Sequence, residues 1–184
     1  LPPLAGLVVQ PAIGSLSDKT WAPKLGGRRL PYLLIGMIFA VVMMLLLPNI
    51  GNFGLGYGSI EALVFGAIAI AILDVAANMA MQPFKMMIGD MVNDEQKSYA
   101  YGIQSMLSNS GAVIAAFFPF LLTVLGVANT AKKGVVPQSV VISFYVGAVI
   151  LVITSLLTVT KVHEYDPKTY ARYHGIKEED NKKD

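Results

Sequence analysis

At 100° per residue, Asp74, Asn78, Met81 and Lys85 project from one stripe of a helix embedded in a long apolar stretch. An aspartate at such a depth costs about 2.5–3.5 kcal/mol on insertion scales, so it must face a bundle interior or a wet cavity. Two readings follow: a carboxyl group on an ion or substrate pathway, or a carboxylate satisfied by a partner helix. Asp74 and Lys85 are eleven residues apart, roughly 16 Å along a helix axis, too far for a simple intrahelical pair, whereas Asn78 is one turn from Asp74. Asp74 therefore needs another partner or a proton, and a carboxyl group there can load a proton on one side and release it on the other when its surroundings change. Lys85 lies closer to a helix end, where a snorkelling ammonium and a functional one are equally reasonable.

The next apolar stretch carries a second stripe, Tyr101, Gln104, Ser108 and Gly111, with Ser105 and Asn109 on its flank. Amides and hydroxyls beside one carboxylate suit an uncharged ligand with many hydroxyl groups, such as a sugar, better than an ion or a lipid. The same groups also serve as glue between packed membrane helices. Gln10, Gln82, Tyr101, Gln104, Ser108 and Asn109 are the candidates for lining such a cavity, with Asp74, Asn78 and Lys85 the candidates for ion coupling and substrate contact.

These stripes have to be positioned by membrane-spanning helices. Hydrophobic residues make up 54% of the 184-residue chain and charged ones only 14%, with a mean hydropathy of +0.58, against roughly 25% charged in a soluble domain. A hydrocarbon core of roughly 30 Å needs about 20 helical residues, and five segments approach that length: 1–16, 31–47, 59–88, 99–126 and 136–160. The fold class expected is an all-α integral membrane protein. Between the first two segments lies a hairpin, 17–31, with Lys19, Lys24, Arg28 and Arg29 against the single acid Asp18. The positive-inside rule places it in the cytoplasm, together with 89–98 and the tail 161–184, and leaves 48–58 and 127–135 outside. All 14 lysines and arginines except Lys132 and Lys133 then fall on the cytoplasmic side. Ser59 reads as an N-cap with Glu61 in the first turn. Pro83 and Pro119 interrupt helix hydrogen bonding where neighbours or a cavity must satisfy the freed carbonyls.

Several classes are disfavoured. The net charge of +2 is too small to suggest nucleic acid. The absence of cysteine removes disulfides, thiolate metal sites and a cysteine nucleophile. His163 and His174 stand in the hydrophilic tail without the spacing of a metal or nucleophilic site, so neither an enzyme, a cofactor nor a metal is expected. The tail around Tyr170 and Tyr173 reads as a short interfacial helix.

The pattern Gln10-Pro11-x-x-Gly14-x-x-Ser17-Asp18, then Gly27-Arg28-Arg29-x-Pro31, then Asp74-x-x-x-Asn78 with a basic residue eleven positions after the aspartate, resembles the sucrose and maltose proton symporters of the major facilitator superfamily. The glycoside-pentoside-hexuronide cation symporters are close in style. The resemblance implies helices two to six of a twelve-helix transporter over 1–160, with the start of a central cytoplasmic loop over 161–184. The chain would be a fragment of the amino-terminal half, without the first helix and the carboxy-terminal half. It further implies sugar transport coupled to protons by alternating access, in the cell membrane, with sugar, proton, lipid bilayer and the second half of the transporter as partners. Gly14, Asp18, Gly27, Arg28 and Arg29 would form a cytoplasmic gate motif, and Asp74 the proton-coupling and sugar-binding carboxylate. Lys85 stands where sucrose-type members have Arg, a point donor in place of a planar fork. Passive or sodium-coupled transport, and a non-transporting membrane scaffold, are the alternatives.

Overall fold

The computed structural model describes residues 2–53, 59–132 and 135–173. The turn formers at 54–58, Lys133, His174 and the end of the tail with Lys177, Lys182 and Lys183 lie outside the described residues. The described residues are almost entirely helical and form no strand: α1 (Pro2–Lys19), α2 (Leu30–Leu46), α3 (Ile60–Met91), α4 (Asp94–Val124), α5 (Gln138–Lys161) and the short α6 (Pro167–Tyr173). Among the described residues, four stretches are long and apolar enough to cross a membrane: α2 with the 3-10 turns that follow it, α3, α4 and α5. α1, with 18 residues, is not among them.

The helices alternate in direction, as their end contacts show. One end gathers the hairpin after α1, the α3–α4 junction and the segment after α5, joined by contacts of Arg28 and Arg29 with Asp90 and Glu164. At the other end Asn49 donates to the Tyr145 hydroxyl (2.6 Å) and Ser139 donates to the Asn129 side chain (2.6 Å). Ser59 caps α3 as its sequence position suggests, accepting the Ala62 N–H at 3.1 Å, with Glu61 in the first turn.

Two boundaries differ from the sequence expectation. α1 continues through Ser17 and Asp18 to Lys19; the Ser17 and Thr20 hydroxyls donate to the carbonyls of Gly14 and Leu16 (both 2.9 Å), and the second of these is one that a helix end would otherwise leave open. The connection expected over 89–98 contracts to residues 92–93, since Asp94 and Glu95 already form the first turn of α4, where acids complement the helix dipole.

Packing is uneven. α3 lies closest to α2, where Gly36 permits the approach: a Cβ there would come 2.7 Å from the Ala80 backbone nitrogen. α1 packs on α3, and α5 packs on α2. Around Leu30, Leu33 and Met87 a small core forms at the hairpin end, extended by Val159 and Val162. Pro83 is fully buried inside α3. α4 is thinly attached, and its apolar side chains Ile114, Phe117, Phe120 and Val124 are exposed among the described residues.

Candidate functional site

The hairpin end holds a dense polar cluster built on Arg29, whose side chain is 3% exposed. Its Nε donates to Asp90 Oδ2 (2.6 Å), Nη2 pairs with Asp18 Oδ1 (3.0 Å), and Nη1 donates to Ser17 Oγ (3.1 Å) and reaches Met86 Sδ (3.1 Å). One guanidinium thus ties the last turn of α1 to the last turn of α3 through charge-assisted bonds. Arg28 reaches Asp90 Oδ2 (3.4 Å) and stacks over the Tyr170 ring at 4.1 Å, while the Tyr170 hydroxyl donates to Asp90 Oδ1 (3.4 Å).

Glu164 closes this cluster from the tail. Its carboxylate accepts the backbone N–H groups of Arg28 (3.3 Å), Arg29 (2.8 Å) and Leu30 (3.0 Å), so the open donors at the start of α2 are satisfied by a residue beyond α5. Its own N–H donates to the Gly26 carbonyl at 3.0 Å. Gly27 makes this possible: it adopts φ +150°, and a Cβ there would lie 2.6 Å from the Glu164 side chain. Gly14 is buried beside Met86. All five residues of the hairpin motif, Gly14, Asp18, Gly27, Arg28 and Arg29, therefore sit in one neighbourhood.

Sequence reasoning missed Asp90, Glu164 and Tyr170. A signal existed for Asp90, an acid near the C-terminus of a helix, where the dipole disfavours it unless a cation answers. Nothing local distinguishes Glu164 from the other tail acids.

The intramembrane candidates divide into two groups. Asp74, Asn78 and Gln10 meet at the α1–α3 interface, all half-buried. The Asn78 amide nitrogen donates to the Asp74 main-chain carbonyl (2.8 Å) and approaches its Oδ1 (3.4 Å), and Gln10 Nε2 donates to Asn78 Oδ1 (2.8 Å). Lys85, Gln104, Ser108 and Asn109 instead line a groove of about 660 Å³ between α3 and α4, with Met81 and Phe84. The Tyr101 hydroxyl donates to the Lys85 carbonyl across this interface at 3.1 Å. Asp74 and Lys85 form no ion pair, in keeping with their separation on the helix. Gln82 is half-buried and makes no side-chain hydrogen bond among the described residues. Among those residues no cluster of His, Cys, Asp or Glu could hold a metal ion.

Long apolar helices of alternating direction, a charged hairpin locked at one end and a carboxyl group within a span together define a multi-pass membrane protein with polar groups inside its spans. The chain belongs to the MFS/sugar transport protein family, whose match covers residues 3–179. It is 27% identical over 173 residues to the sucrose transport protein SUC4 of Arabidopsis thaliana, covering 88% of this chain and 34% of that protein. Similarity to the general alpha-glucoside permease of Schizosaccharomyces pombe is 29% over 125 residues, covering 65% and 22%. With human solute carrier family 45 member 4 it is 29% over 125 residues, covering 62% and 15%. The chain thus spans about a third of the sucrose transport protein's length and less of the other two. No solved structure matches it significantly. The family is one of transporters rather than enzymes, and the sucrose transport protein and the alpha-glucoside permease support the sucrose and maltose branch that the hairpin resembles.

Proposed function

We propose that these helices form one wall of a sugar-transport cavity in a secondary transporter that moves a disaccharide such as sucrose or maltose together with protons by alternating access. The observation that carries the reading is Asp74, an acid within a membrane span whose side chain meets the neutral Asn78 amide and no cation among the described residues. A carboxyl group so placed can bind and release a proton, and the amides beside it can turn to sugar hydroxyls. The groove carrying Lys85, Gln104, Ser108 and Asn109 supplies further donors and acceptors on the side that α4 leaves open. Relatives named for sucrose and alpha-glucoside transport support a sugar as the cargo.

In this reading α1–α5 are helices two to six of a twelve-helix protein, 161–184 opens the central loop, and the hairpin end faces the cytoplasm of a cell-membrane transporter. The Arg29 cluster acts as the cytoplasmic gate, closed while the cavity faces outward. Its bonds join the ends of α1 and α3 to the start of α2 and the segment after α5, so a displacement of these ends relative to one another would break them together.

Sugar-induced proton uptake in cells expressing the full-length protein tests this, with sucrose and maltose as probes and Asp74→Asn beside the wild type. Alkalinisation of the medium that disappears in correctly inserted Asp74→Asn is the expected result. Sugar entry without proton movement in the wild type would overturn proton coupling, and entry of neither sugar would overturn the substrate.

A further inference from the structure

The hydrogen bond between Gln10 and Asn78 has a defined polarity. The Asn78 amide nitrogen is engaged by the main-chain carbonyl of Asp74 (2.8 Å) and leans on its carboxylate (3.4 Å). Carbonyl and carboxylate oxygens only accept, so the Asn78 carbonyl oxygen is turned toward α1 and requires a donor there. Gln10 Nε2 is that donor, at 2.8 Å. Space for the pair is left by Gly6, one turn earlier on α1: a Cβ at that position would stand 3.1 Å from Asn78 Oδ1 and 3.4 Å from Gln10 Nε2.

The same helix engages the hairpin cluster. Eight residues after Gln10, roughly 12 Å along the axis, Asp18 meets Arg29 at 3.0 Å, and Ser17 beside it accepts from Arg29 at 3.1 Å. α1 is therefore one continuous element with one end in the Arg29 cluster and its middle against the Asp74 neighbourhood.

We infer that Gln10 is a positioning residue: carried on α1, its amide holds Asn78 with the N–H₂ toward Asp74, so that a displacement of α1 at its Asp18 end is transmitted to the intramembrane carboxyl group. The inference rests on the reading of Asp74 as the proton-coupling residue. With Gln10 withdrawn, the Asn78 amide can turn its oxygen toward Asp74, a partner for the protonated carboxyl group and not for the carboxylate. This differs from a sugar contact, in which Gln10 would face the cavity and set affinity.

The test is the amount of proton moved per sucrose in proteoliposomes containing the full-length protein. Gln10→Met removes the donor at similar volume, Gln10→Glu replaces the amide by an isosteric acceptor, and Asp74→Asn is the reference. Both Gln10 variants should move about two- to tenfold less proton per sucrose, the factor expected from one neutral hydrogen bond. Gly6→Ala, which leaves Gln10 in place and crowds the pair, should shift the ratio the same way by less, and it carries the test should a Gln10 variant fail to insert. If Asp74→Asn loses proton movement while the Gln10 and Gly6 variants keep the wild-type ratio, the inference is overturned and the role of Asp74 stands. An unchanged ratio with a raised half-saturating sucrose concentration overturns it in favour of a sugar contact. Wild-type proton movement in Asp74→Asn would remove both.

Discussion

The two polar regions of this molecule are built on opposite plans. At the hairpin end, Arg29 is shut away from solvent with each of its side-chain nitrogens engaged, and Glu164 gathers three consecutive backbone N–H groups. In the middle of the helices, Gln10, Asn78 and Asp74 are strung together by single bonds, and the contact to the carboxylate itself is a loose 3.4 Å. A saturated cluster suits a contact that is either wholly made or wholly broken, because losing one partner strands the others. A sparsely bonded carboxyl group suits a site that must exchange a proton or a ligand without large reorganisation. The contrast sets a saturated contact between helix ends apart from under-bonded polar groups in an apolar span, a difference that fits the proposed gate and the proposed coupling site.

The largest expected effect would break the lock. Arg29→Ala leaves Asp18, Asp90 and Ser17 without their shared cation and should cost about 3–5 kcal/mol, the range for removing one partner of a buried pair, read as thermal unfolding in detergent. Arg29→Lys should fall between, since an ammonium cannot serve Asp90 and Asp18 with a planar fork. A loss no greater than that of an exposed substitution would end the distinction between the two regions.

Next come Glu164 and Gly27. Glu164→Ala removes the cap on α2 and should cost about 1–2 kcal/mol, while Gly27→Ala should reach at least the same loss by expelling the Glu164 side chain. Because both act on one contact, the double variant should lose distinctly less than the sum of the two. Additive losses would show that Gly27 serves its own backbone conformation alone.

Asp74→Asn sharpens the comparison from the other side. Its unfolding should stay within about 0.5 kcal/mol of wild type, while proton movement is lost. A large stability loss would make Asp74 a second structural anchor.

The smallest effect concerns the tail. Thr169 hydrogen-bonds to Asp166 and holds its carboxyl group below the usual carboxylate range. A lowered folded value contributes stability above the ordinary 3.8 that is lost as pH falls through the folded value. The group is fully exposed, so water and salt screen the effect. The protection factors of the α6 amides, exchange corrected for its intrinsic pH dependence, should fall slightly on acidification below that range, and Asp166→Ala should abolish the dependence.

Much of the fold was legible because hydropathy and helical period are carried by neighbouring residues. The five long helices, the Ser59 cap and the separation of Asp74 from Lys85 all follow from spacing along one segment. The helix ends were less legible: Asp94 and Glu95 read as loop residues by polarity, although the dipole makes them good first-turn residues. Within the candidate site, Asp74 and Asn78 were visible as a stripe, but the stripe does not stay together. Asn78 turns to Gln10 on α1, while Lys85 joins Gln104, Ser108 and Asn109 beside α4.

The amino-acid sequence by itself determined that this chain is a membrane-embedded helical protein, where its helices run, and that an aspartate inside one of them needs a partner or a proton. Each of these is set by local composition against the energetics of a bilayer. Only the tertiary structure decided who the partners are. Asp90 and Glu164 meet Arg29 across 61 and 135 residues of chain, and such pairings depend on helix packing, on the close approach allowed by Gly36 and Gly27, and on which acid the folded chain delivers to which cation.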